Sequence, residues 1–85
     1  MEYIIVAFRN RTQTILLYQV LSESGVNCEI VNTPKEAGVG CGLSVKIPKF
    51  ATAKVKMLLQ TGKFNTFAGF FLVKMLAGNK IVRSI

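Results

Sequence analysis

Six successive residues near the start of the chain, Tyr3-Ile4-Ile5-Val6-Ala7-Phe8, are all apolar. Side chains along a strand point alternately to opposite faces, so a strand that is apolar at every position has two faces to cover. Such a strand is expected at the centre of a sheet, covered on each side, or covered on one side and close to a partner on the other. With 85 residues, the chain is expected to form one domain over residues 1–85. A chain this short must build that cover economically.

The remaining elements follow from punctuation and period. Arg9-Asn10-Arg11-Thr12 is a polar break, and Asn10 or Thr12 is placed to cap a helix by accepting an orphan amide hydrogen. That helix is expected to run to about Ser24, with Leu17, Val20, Leu21 and Ser24 on one stripe, Thr14 and Tyr18 beside it, and Gly25 as the stop. Cys28 to Thr33 reads as a second strand, ended by Pro34. Leu43 to Ile47 alternates strictly, which predicts Leu43, Val45 and Ile47 inward and Ser44 and Lys46 in water. These two strands flank one loop, so an antiparallel hairpin with a long connection is the simplest arrangement. Pro48 starts a second helix, roughly Phe50 to Thr61, with Lys54 and Lys56 outward and Gly62 as the stop. Phe67 to Met75 reads as a strand interrupted by Gly69. Ala77-Gly78-Asn79-Lys80 is turn chemistry, and Ile81 to Ile85 returns as a terminal strand.

The order βαββαβ plus one strand predicts an α+β, ferredoxin-like sandwich. Its antiparallel sheet would carry two helices on one face, right-handed split βαβ crossovers and an extra C-terminal strand. The other face would then present Tyr3, Ile5 and Ala7, or the alternate set, together with Phe64, Phe67, Phe70 and Phe71. Exposed apolar sheet surface marks a partner, so a homodimer or a docked protein is expected there, unless the terminal segment folds over it.

Composition removes several functions. There is no histidine, hence no ordinary general base near neutral pH. Two cysteines alone cannot close a four-ligand zinc site, and no metal or cofactor is expected. Gly38-x-Gly40-x-Gly42 lacks the lysine-serine ending and the strand-to-helix setting of a nucleotide loop. A carrier or binding protein is favoured over an enzyme. The net charge is +7, and Glu36 is the last acid. A basic half attracts phosphates, RNA or an acidic protein. The lysines are dispersed, however, and read first as solvated faces, so nucleic acid is not favoured. The longest apolar run, Phe67 to Val73, is seven residues, against the roughly 20 of a membrane span. Met1 to Phe8 already reads as a strand, so no leader peptide is expected, and the expected compartment is the cytoplasm, where thiols stay reduced.

The candidate site is Cys41, set between Gly40 and Gly42. Flanking glycines leave the sulfur approachable and permit positive φ. Successive amides in such a loop can form an anion nest, and Lys35 or Lys46 would add charge that favours the thiolate. The structural alternative is a small residue packed in a tight turn. Cys28 is expected to pack in the core. It stands five residues from Thr33, roughly 16 Å at 3.3 Å each, too far from the loop for a disulfide, which needs Cα atoms within about 7 Å. Arg9, Arg11 and Thr12, at the start of the first helix, make an anion site or an ordinary cap with solvated arginines. The candidate ligand-binding set is therefore Arg9, Arg11, Thr12, Lys35, Gly40 and Gly42.

The segments MEYIIVAFRNRTQTILLYQVLSESGV and NTPKEAGVGCGLSVKI resemble the selenium/sulfur carrier protein-like domains over roughly residues 2–60. The most specific block starts at Thr33-Pro34-Lys35 and ends at Gly40-Cys41-Gly42-Leu43. It matches a Thr-Pro-basic start and a Cys-Gly-Leu end, so the family's cysteine falls on Cys41. The resemblance implies a thiol that carries sulfur or selenium as a persulfide or selenosulfide between donor and acceptor proteins. The Phe-rich and basic tail, about 64–85, departs from the family. Two other readings compete. One is a dimeric binding module for an anionic small molecule or a partner protein. The other is an RNA-binding module, which lacks the paired surface aromatics of an RNA-recognition sheet.

Overall fold

The computed structural model describes residues 1–85. Five strands form one sheet: β1 (Glu2–Phe8), β2 (Glu29–Asn32), β3 (Leu43–Ile47), β4 (Phe67–Leu76) and β5 (Asn79–Ser84). Two helices, α1 (Arg11–Glu23) and α2 (Thr52–Leu59), join them, with 3₁₀ turns at Lys35–Ala37 and Lys49–Ala51. The strand order is β2-β3-β1-β4-β5, and every neighbouring pair is antiparallel. The α+β class, the two helices and the extra C-terminal strand therefore stand as expected.

β1 lies between β3 and β4, where its unbroken apolar run requires it to be. Ile4, Val6 and Phe8 join the larger core with Leu17 and Leu21 of α1, Val55 of α2, and Val45, Ile47, Phe64 and Phe70. Fully burying each such side chain contributes on the order of 1.5–3 kcal/mol. Ile5 and Ala7 point to the opposite face and pack with Phe71 and Val73.

That second face is not the open surface expected from sequence. Ile5, Ala7 and Val73 are fully buried. The connection between β2 and β3 lies against this face, placing Ala37 on the cluster alongside Tyr3, Val31 and Val82. Ser44, expected in water, is likewise buried and shares a 2.6 Å hydrogen bond with the Thr33 hydroxyl. The cover is a loop from the middle of the chain, and it removes the surface on which the dimer expectation rested.

The phenylalanines also divide differently. Phe64, Phe67 and Phe70 belong to the helix side, with Phe8–Phe64, Phe8–Phe67 and Phe67–Phe70 ring centroids 5.6, 6.1 and 5.0 Å apart; only Phe71 faces the other way. Phe67 and Phe70 share a face despite odd spacing because β4 shifts register there: Phe8 pairs Phe67, while Ala7 pairs Gly69. One extra residue resets the alternation, as a β-bulge does. Gly69 accepts the geometry, with φ +151° and the Phe71 ring 3.1 Å from where a Cβ would stand.

Asn10 caps α1, its side-chain oxygen accepting from the Thr12 amide at 2.7 Å, and Gly25 follows the helix at φ +83°. The buried residues of α1 are Thr14, Leu17 and Leu21. Val20 is half-buried and Ser24 exposed, so the inward stripe lies nearer the N-terminus than expected.

Candidate functional site

Cys41 lies in the bend that leads into β3, at the end of the sheet where β1 finishes. Its amide donates to the Phe8 carbonyl at 2.8 Å, which pins the bend to the last residue of β1. The Thr33 amide donates to the Gly42 carbonyl at 2.9 Å, which closes the far side of the loop. Gly40 and Gly42 hold φ +94° and +95°, conformations that a Cβ disfavours. Gly40 is also a close approach, because a Cβ there would stand 3.1 Å from the Phe8 carbonyl oxygen.

The Cys41 thiol is half-buried and unpaired. Its Sγ lies 3.8 Å from the Thr14 hydroxyl and 3.7 Å from the Leu43 carbonyl oxygen. Thr14 is fully buried, and its hydroxyl donates to the same carbonyl at 3.3 Å. When the sulfur is protonated, S–H and O–H compete for one carbonyl. When it is ionised it can only accept, and Thr14 is then the side-chain donor within reach. Helical periodicity sets Thr14 beside the apolar stripe without linking it to the thiol. A small hydroxyl residue four positions past the Asn10 cap was the available signal.

The other expected residues divide into three groups. Lys35, Gly40 and Gly42 line one shallow depression of about 260 Å³, together with Thr33, Pro34, Gly38 and Val39. Arg9, Arg11 and Thr12 do not line it. They directly follow Phe8, the residue that accepts from the Cys41 amide, so the backbone brings them to the same end of the sheet. Both arginines are exposed and neither forms an ion pair. Lys46 is committed elsewhere. It pairs with Glu29 at 3.3 Å and stands 4.4 Å above the Tyr3 ring, so the expected help from Lys46 at the thiol is corrected to a cross-strand contact.

Gln13 positions this end of the sheet through contacts that no local sequence signal marks. Its amide nitrogen donates to Asn65 Oδ1 at 2.6 Å, and its oxygen accepts from both the amide and the hydroxyl of Thr66, at 3.0 and 2.7 Å. The Arg9 amide in turn donates to the Thr66 carbonyl at 2.8 Å. The arginine segment is thereby fastened to the entry of β4.

Cys28 precedes β2 and is also half-buried and unpaired. Its sulfur lies 3.6 Å from the Ser22 hydroxyl and 3.8 Å from the Tyr18 carbonyl oxygen, against the helix-side core. Cys41 touches α1 at Thr14. The two sulfurs therefore sit under stretches of α1 roughly 6–12 Å apart along its axis, at 1.5 Å per residue. The widest cleft, about 490 Å³, is at the Cys28 end, lined in part by Tyr3, Cys28, Lys46 and Phe50. Exposure alone does not single out Cys41, because both thiols are half-buried.

The sequence profile of the family described as "Putative Se/S carrier protein-like" matches residues 2–68. The chain belongs to that family. The match extends past residue 60, where the resemblance was expected to end, to the first residues of β4, and it includes Asn10, Thr14 and both cysteines of this Se/S carrier-like chain. The rest of β4 and all of β5 lie beyond it. No curated protein and no solved structure matches the chain. No helix is long and apolar enough to cross a membrane.

Proposed function

We propose that the chain carries sulfur or selenium on Cys41, as a persulfide or selenosulfide, and hands it from a donor protein to an acceptor protein. The observation that carries this reading is the pairing of family membership with a half-exposed, unpaired thiol held between two positive-φ glycines. In the reaction, the Cys41 thiolate attacks the outer sulfur of a donor persulfide. A new S–S bond forms on Cys41, the donor S–S bond breaks, and the donor cysteine leaves as a thiolate, with no net oxidation. The selenium form exchanges the same bonds at an outer selenium. Thr14 supplies a hydroxyl to the ionised sulfur, while Arg9, Arg11, Thr12 and the depression at Lys35, Gly40 and Gly42 receive the anionic donor group.

The framework is read as ferredoxin-like. The order β2-β3-β1-β4 supports this, since α1 and α2 each connect strands separated by one intervening strand. The proposed compartment is the cytoplasm, in keeping with a chain that leaves both cysteines unpaired.

The test is incubation with a cysteine desulfurase and cysteine, followed by peptide-resolved mass spectrometry. An adduct of about 32 Da on Cys41, formed by thiolate attack, is expected in the native chain and in Cys28→Ser, and is lost in Cys41→Ser. An adduct confined to Cys28 overturns the assignment.

A further inference from the structure

β5 is an edge strand whose outer side pairs with nothing. The turn between β4 and β5 has two residues, Ala77 and Gly78, and Leu76 pairs Asn79. In an antiparallel ladder, residue pairs alternate between those that exchange backbone hydrogen bonds and those that do not. Counting from the turn, Asn79, Ile81 and Arg83 bond inward to β4. The bond from the Ile85 amide to the Phe70 carbonyl, 3.1 Å, continues the same phase. The N–H and C=O groups of Lys80, Val82 and Ser84 therefore point away from the sheet. β2, at the other edge, is four residues long and runs into Pro34 within two residues, which blunts it. β5 is six residues long and contains no proline, glycine or bulge.

We propose that this edge takes up an extended acidic segment of a partner protein as a sixth strand. The side chains state the pattern. Lys80 and Val82 lie on the loop-covered face, and Ile81 and Arg83 on the helix face. Lys80-Ile81-Val82-Arg83 is thus matched by acid–apolar–apolar–acid on an incoming strand, with each acid directly opposite a cation. The pattern reads the same in either direction. Lys80 and Arg83 form no ion pair within the chain, and Ile81 is 48% exposed. A second copy fits less well. Antiparallel self-pairing about Val82 sets the two Arg83 side chains diagonal to each other, at about 7–8 Å, between chains that each carry +7. The surface does not involve Cys41, so Cys41→Ser leaves it intact, and its failure is separable from failure of the carrier reading.

The experiment uses the full chain and a capped peptide of about ten residues with the core glutamate-valine-valine-glutamate. A permuted peptide of the same composition, with adjacent glutamates, is the control. Amide resonances of Lys80, Val82 and Ser84 are expected to shift and their hydrogen exchange to slow. Val82→Pro removes an outward N–H that β4 does not use and weakens binding at least about tenfold. Lys80→Glu with Arg83→Glu does the same by charge and serves if the proline variant fails to fold. Four results overturn the proposal: no change at those amides, equal binding of the permuted peptide, a dimer in sedimentation that Val82→Pro abolishes, or an oligoribonucleotide that binds these amides more tightly at equal salt.

Discussion

Two glycines that look alike in the sequence do different work. Gly40 and Gly42 flank Cys41 at nearly the same positive φ, yet only Gly40 has a neighbour where a Cβ would go. Gly42→Ala is expected to cost about 1–2 kcal/mol, the strain of a left-handed backbone. That lowers Tm by about 4–8 °C per kcal/mol in a domain of this size. Gly40→Ala adds a contact at 3.1 Å with the Phe8 carbonyl, an atom already engaged by the Cys41 amide. It should melt lower than Gly42→Ala and also disturb the thiol, read as a changed alkylation rate at Cys41; equal melting of the two would contradict the close approach. Thr14→Val keeps the shape and removes the hydroxyl beside the sulfur. Loss of one buried hydrogen bond costs about 1 kcal/mol, and the persulfide should form more slowly on Cys41 while Cys28 alkylation is unchanged.

At the scale of elements, the tight β4–β5 turn holds Ala77 at φ +51° and Gly78 at +81°. A two-residue turn with both φ positive favours Asn-Gly, so Ala77→Asn is expected to raise Tm by several degrees, given roughly 1 kcal/mol of relieved strain. Gly69→Val works in the opposite sense, because a branched side chain meets the Phe71 ring at the bulge, and calorimetry should find it clearly destabilised. These positions also mark where the sequence was legible. β1, the Asn10 cap, Gly25 and the terminal hairpin rest on local signals, and each formed where expected to within a few residues. The division of phenylalanines was hidden because a single inserted residue at the bulge reverses the face of everything before it. The burial of the second face was hidden because part of its cover, Ala37, lies in a glycine-rich loop with no periodicity of its own, and Ser44 is met by the hydroxyl of Thr33 at the start of the same connection. The positive-φ backbone on either side of Cys41 was legible from its glycines; the contact of its sulfur with Thr14 was not, because that contact exists only once α1 lies on the sheet.

Across the whole molecule, Glu2 is an electrostatic junction. Its carboxylate accepts from Lys49 at 2.7 Å and lies 3.6 Å from Lys74, joining β1 to the turn before α2 and to β4. The hydrogen bond and charge of Lys49, followed by the charge of Lys74, hold its pKa below the ordinary 4.5. A carboxyl lowered in the folded state contributes stability above its unfolded pKa, and the contribution is lost as pH falls through the folded value. Melting temperatures should therefore be insensitive to this group above about pH 5 and decline below the usual carboxylate range. Glu2→Gln should flatten that part of the profile, as should molar salt, because the pair is at the surface. A profile unchanged by Glu2→Gln removes Glu2 from this role. The central place of β1 has a consequence of another kind. One flank of this most apolar strand is closed by β4, whose residues begin at Phe67. During synthesis β1 waits bare along that flank until β4, far downstream, has emerged. The nascent polypeptide therefore carries an uncovered adhesive edge while everything between these two strands is made, an interval in which a chaperone favours yield.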